Sequence, residues 1–127
     1  MPDKNLFEYA VIRIVPRVER EEFLNVGVIL YCKDRKFLEC LYLLNKARLQ
    51  SLCANLDCEE VEEHLRAFEW ICSGDPKGGS IAKLDIASRF RWLTATRSTV
   101  IQTSNVHPGF CEDPKEELKK LYEKLVS

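Results

Sequence analysis

No stretch of this chain approaches the ~20 consecutive apolar residues that a membrane-spanning helix needs, and no export leader is visible at its start. "MPDKNLFEYAVIRIVP" begins polar, and its apolar run is interrupted by Arg13 and stopped by Pro16. The expectation is a cytoplasmic protein without membrane contact. No charge of one sign dominates either. The formal net charge is −1, so the molecule as a whole exerts no pull on nucleic acid or on an anionic membrane, and any anion site must be local. No C-x-x-C pair occurs among Cys32, Cys40, Cys53, Cys58, Cys72 and Cys111. Zinc ligands come as closely spaced pairs, and disulfide scaffolds belong to small exported chains. Reduced, mostly buried thiols are therefore expected, with no metal and no cofactor. "SGDPKGGS", residues 73–80, holds Gly, Lys and Ser in the wrong order for a phosphate-binding loop of the form G-x-x-x-x-G-K-[ST]. The chain also has no internal repeat.

What is present suits one soluble domain. A length of 127 residues fits a single core, and 46% hydrophobic with 31% charged residues excludes a disordered chain. "LFEYAVIRIV" reads as a strand over 6–15, since Val, Ile and aromatics dominate until Pro16 ends it. "NVGVILYC" is apolar on both alternating sets, Val26, Val28, Leu30 and Cys32 against Ile29 and Tyr31. That pattern places a strand over 25–33 in the middle of a sheet covered on both faces. Gly27 inside it implies a bulge or a close crossing by a neighbour. "KDRK" then turns the chain, with Asp34 and Arg35 at the tip, into a strand over 37–44.

From Asn45, a candidate N-cap, the apolar period changes. Leu49, Leu52, Cys53 and Leu56 share one face of a helix over 46–56. Asp57 and Glu60 open a second helix over 58–73, with the stripe Val61, Leu65, Phe68 and Cys72. Glu59, Glu60, Glu62 and Glu63 crowd its first turns, where the helix dipole favours them. His64 reads as a surface or boundary residue. A short helix follows in "LDIASRFRWL", then a strand over 98–104. Asp113, Pro114 and Glu116 start a last helix over 115–126. Strands first and helices after them predict a single α+β domain, with a largely antiparallel four-stranded sheet covered by three to four helices.

"SRFRWLTATRSTVIQTSNVHPG", residues 88–109, is the richest stretch in chemistry. Between Lys83 and Ser104, Lys83, Arg89, Arg91 and Arg97 stand against the single acid Asp85, whereas between Leu56 and Trp70, Asp57, Glu59, Glu60, Glu62, Glu63 and Glu69 face only Arg66. Arginine offers planar paired donors suited to phosphate; Ser98, Thr99 and Thr103 add hydroxyls, and Trp92 can stack on a base. The structural alternative stays open. Arg89 and Arg91 sit ~200° apart on a helix, Trp92 adjoins Phe90 and Leu93, and Thr-rich alternation is ordinary strand chemistry. Arg91, Arg97 and Ser98 are the candidate ligand contacts, with Arg13 and Arg89 as lesser ones. Glu22 and Asn25 lead into the buried strand and have structural uses of their own. His107 lies in what reads as a Pro-Gly turn. With Glu22 it is the pair that a small phosphodiester hydrolase or nuclease would use, and Cys111 is a formal nucleophile.

Two blocks, "EFLNVGVIL" at 22–30 and the Arg-Trp to Arg-Ser block at 89–98, carry a resemblance. With "YAVIRIVPRVEREEFLNVGVILYC" and "SRFRWLTATRSTVIQTSNVHPGFCEDP" around them, the chain resembles the bacterial domain-of-unknown-function family 3037 from about Tyr9 to Val126. The resemblance implies a stand-alone bacterial cytosolic domain and genetic neighbourhood with HipA-like kinase proteins. It supplies no catalytic or binding residues. The expected function is a non-catalytic binding or regulatory module, for a protein partner such as that kinase or for a phosphate-bearing ligand, nucleotide or nucleic acid. The hydrolase is the alternative.

Overall fold

The computed structural model describes residues 4–16, 23–52, 57–95 and 99–126. Strand β1, Asn5–Ile14, and strand β2, Leu24–Cys32, pair antiparallel at the centre of a five-stranded sheet. Strand β3, Phe37–Tyr42, continues the sheet beyond β2. The other edge of β1 is shared by two short strands, β4 at Ile101–Thr103 and β5 at His107–Cys111, both antiparallel to it. The first three strands fall within two residues of the ranges the apolar pattern predicts. β5 is an addition. Its "HPGFC" run reads as a turn, yet Pro108 sits opposite Glu8 in an edge strand, a place where proline's missing N–H is tolerated.

Helices cover both faces, which is why β2 is apolar on both alternating sets. Helix α1, Lys46–Leu52, helix α2, Cys58–Ser73, and helix α3, Ile86–Leu93, pack on the face that carries Ala10, Ile12, Ile14, Ile29 and Tyr31. Helix α4, Pro114–Leu125, covers the opposite face, where Leu118 meets Phe7, Val28, Leu30 and Cys32. Phe90, Leu49, Leu65 and Leu118 are fully buried anchors of their helices. Three helix starts are closed by the side chains the sequence points to. Asn45 Oδ1 accepts from the Arg48 N–H at 3.1 Å, Asp57 Oδ1 from Glu59 and Glu60, and Asp113 Oδ1 from Lys115. Asp85 does the same for α3, accepting from Ser88 at 2.7 Å. Cys53 and Leu56, expected in the stripe of α1, lie outside the described residues.

Gly27 satisfies both of its expectations. The register slips between Ile12 and Arg13, with Ile12 opposite Gly27 and Arg13 opposite Asn25, so Val26 is the extra residue of a bulge. The bulge turns Val26 onto the α2 face with Ile29 and Tyr31, not onto the face of Val28, Leu30 and Cys32 as strict alternation implies. A Cβ on Gly27 would stand 2.6 Å from the Tyr42 Cβ and overlap the Leu41 carbonyl oxygen. At the hairpin tip the Lys36 N–H donates to the Lys33 carbonyl at 3.0 Å, and Lys36 takes the left-handed conformation.

Ser104 explains how one strand can be flanked by two. Its N–H donates to the Val11 carbonyl and its hydroxyl accepts the Val11 N–H, each at 2.9 Å, so the ladder on β1 continues across the break between β4 and β5. Ser104 Oγ in turn donates to the Asn105 carbonyl at 2.9 Å, leaving this buried hydroxyl satisfied in both roles.

Candidate functional site

The described arginines of the basic stretch are held by the protein itself. Arg91, in the last turn of α3, reaches across to β1 and places Nη2 2.7 Å from Glu8 Oε2. The hydrogen bond to Glu8 raises the guanidinium pKa further above its ordinary value. Arg89 leaves α3 in another direction. Its Nη1 donates to the Leu84 carbonyl at 2.6 Å, and its guanidinium lies against Gly74, the left-handed cap that ends α2. A cation there complements the negative end of the α2 dipole. Arg89 Nε is buried with no hydrogen-bond partner among the described residues.

Arg13 belongs to the other side of the sheet. Its Nε donates to Asn25 Oδ1 at 3.3 Å, its guanidinium lies 4.1 Å from the Phe23 ring centre, and Asn25 Nδ2 donates on to the Leu125 carbonyl at the end of α4. Arg13 is thus separated by the sheet from Arg89 and Arg91. Arg97, Ser98 and Glu22 lie outside the described residues.

His107 lies in β5, directly opposite Tyr9, with ring centres 5.4 Å apart. It is exposed, on a strand and not in a turn. Cys111 ends the same strand among the core residues under α4, and burial first of all pushes its thiol up to about 11. A thiol so placed is protonated at neutral pH and a poor nucleophile.

The basic stretch nevertheless borders a cleft. Of about 400 Å³, it lies between α2, the end of α3 and β4. Ala67, Phe68 and Ile71 wall one side, and Leu93, Val100 and Ile101 the other. Trp92, 39% exposed, stands at the rim. Polar groups are few. Gln102 Nε2 donates to the Thr99 carbonyl at 2.9 Å, and Thr99 Oγ1 donates to the Ile101 carbonyl at 2.7 Å, so both turn their side chains on their own segment. Thr103 Oγ1 is buried without a partner among the described residues. His64 Nε2 stands 3.6 Å from Glu60 Oε1 at the mouth. Mostly apolar walls, a few polar groups and this volume are the features of a binding site.

Trp92, Thr99 and Thr103 belong to the stretch that the sequence marks out. Glu60, His64 and Ala67 do not. They occupy the row of α2 beside its buried stripe, and their i, i+4, i+7 spacing was the one signal that could have placed them together. Among the described residues, no three His, Cys, Asp or Glu side chains are grouped to hold a metal, and no helix is long and apolar enough to cross a membrane.

Compared with known proteins, residues 9–126 match the family described as "Protein of unknown function (DUF3037)". No curated protein and no solved structure matches the chain.

Proposed function

This chain belongs to the DUF3037 family, and we propose that it is a non-catalytic binding module whose cleft between α2, α3 and β4 receives a segment of a protein partner. The single observation that carries the reading is the make-up of that cleft: apolar walls, an exposed Trp92 at the rim and the Glu60 carboxylate at the mouth. Tryptophan is among the residues enriched as anchors of binding interfaces. The acids of the first α2 turns, Glu59, Glu60 and Glu63, favour a segment that inserts an apolar side chain and carries a Lys or Arg beside it.

A phosphate-bearing ligand is the weaker choice. Among the described arginines, Arg91 pairs with Glu8, Arg89 with a backbone carbonyl and Arg13 with Asn25 on the far face. The group that charges the cleft mouth is a carboxylate, which repels phosphate.

The partner to which the family resemblance points is a HipA-like kinase protein encoded nearby. Purified together, the two should form a complex with a shift in Trp92 fluorescence. Ala67→Arg fills the cleft from a half-buried helix position and should weaken association at least tenfold while leaving the circular dichroism unchanged. Lys119→Ala, at an exposed position of α4, should leave it intact. Absence of a complex, or one indifferent to Ala67→Arg, overturns the reading.

A further inference from the structure

Two side-chain rungs cross the gap between β3 and α2. Tyr42 Oη donates to Glu69 Oε1 at 3.0 Å. Two residues back along the strand and one turn on along the helix, the Cys40 and Cys72 side chains line one cleft, Cys40 packing against the core cluster that holds Cys72. The geometry follows from periodicity. Residues 40 and 42 point to one face of a strand, and residues 69 and 72 lie on neighbouring turns of one helix face. Cys72 is 2% exposed and belongs to the core, whereas Cys40 is only half-buried. Both line a cleft of about 360 Å³ together with Glu39, Glu69 and Ser73.

We propose that Cys40 and Cys72 are a reversible oxidation site, at which a hydroperoxide converts the thiol pair to an intramolecular disulfide that staples β3 to α2. Cys40, the accessible partner, reacts first. Its thiolate sulfur attacks a peroxide oxygen, the O–O bond breaks, and the products are a Cys40 sulfenic acid and an alcohol, or water when the oxidant is hydrogen peroxide. The Cys72 sulfur then attacks the Cys40 sulfur and the S–O bond breaks. Hydroxide leaves and takes up the Cys72 proton as a second product water. Two electrons pass from the two sulfurs to the peroxide, and a dithiol reverses the reaction by exchange.

The surroundings set the order and the pace. The neighbouring Cys40 thiol, and then burial, hold the Cys72 thiol well above its ordinary range, so it acts second, against a sulfur already activated. The Glu39 carboxylate pushes the Cys72 thiol up in the same sense. The Arg89 charge acts on Cys72 in the opposite sense. Cys32 and Cys111 are an internal comparison. Both are buried under α4 beside Phe7 and Leu118, 0% and 5% exposed against the half-buried Cys40, and should stay reduced.

The test uses the full chain. After incubation with millimolar hydrogen peroxide, unreacted thiols are alkylated under denaturing conditions and the peptides mapped by mass. A Cys40–Cys72 cross-linked peptide, 2 Da lighter than its two reduced halves and lost on dithiothreitol treatment, is expected. The closed loop of about 33 residues should raise the melting midpoint by roughly 5–10 °C. Cys72→Ser should leave a Cys40 sulfenic acid that dimedone traps, and Cys40→Ser should leave Cys72 unmodified. A disulfide mapped to another pair, or Cys40 recovered fully alkylated from the oxidised wild type, overturns the proposal whether or not either variant folds.

Discussion

Arg91 Nη2 lies 2.7 Å from Glu8 Oε2, tying the last turn of α3 to the central strand. One guanidinium of the basic stretch is thereby engaged by the protein's own carboxylate. The two side chains are 58% and 26% exposed, so solvent screens the pair and its worth is about 0.5–1 kcal/mol. Glu8→Gln and Arg91→Ala should each lower stability by about that amount. The double variant should cost little more than either one, a coupling that urea titration of the four proteins measures directly. The loss should shrink in 1 M salt.

Ser104 carries more weight than its size suggests, because its hydroxyl is the acceptor for a buried N–H of β1. Ser104→Ala leaves the Val11 N–H without that partner and should cost about 1–3 kcal/mol. Thr99→Ala, which removes an exposed hydroxyl bonded two residues away, should cost under about 0.5 kcal/mol. Equal losses at both sites would mean that the ladder does not depend on the serine. Protection of the Val11 amide against hydrogen exchange should fall with the serine variant alone.

Gly27→Ala should be among the most damaging small substitutions in the chain. The added methyl falls within 2.6 Å of the Tyr42 Cβ and on the Leu41 carbonyl, atoms of a paired strand that cannot rotate away. Separating β2 from β3 there disturbs the bulge and both neighbouring ladders. Overpacking of this kind costs about 1–3 kcal/mol in a well-packed interior and more where backbone must move. Denaturant unfolding of the variant, or its absence from the soluble fraction, is the measurement.

What the sequence reveals follows where local rules govern. Asn45, Asp57 and Asp113 cap helices because a short polar acceptor before an apolar period has few other uses, and each makes that bond. The both-faces pattern of β2 foretells helices on either side of the sheet. Two things escape. The β5 strand does, because "HPG" is turn chemistry unless a long neighbour such as β1 supplies the pairing, which is a tertiary fact. The destination of the arginines escapes too. Arg89, Arg91 and Arg13 look alike along the chain, but their partners are Leu84, Glu8 and Asn25, two of them far away in sequence or across the sheet. The cleft is half legible. Trp92 and Thr103 announce themselves, whereas His64 and Ala67 become cleft residues only when α2 is laid beside β4.

Alkaline pH should loosen the β3–α2 junction through Tyr42. Burial first, and the hydrogen bond to Glu69 second, push its phenol from the ordinary 10.0 up to about 12. The native state therefore holds this proton more tightly than the unfolded chain does. Its contribution is complete below about pH 10, declines through the window from 10 to 12 as the unfolded phenol ionises first, and is gone once pH exceeds the native value. Stability must fall with rising pH across that window. Tyr42→Phe removes the titrating group and should flatten part of the decline, while leaving alkaline effects from lysines and thiols in place. Urea midpoints for both proteins between about pH 9 and pH 12 give the comparison. Parallel pH profiles for the two would show that the Tyr42–Glu69 bond does not hold in solution.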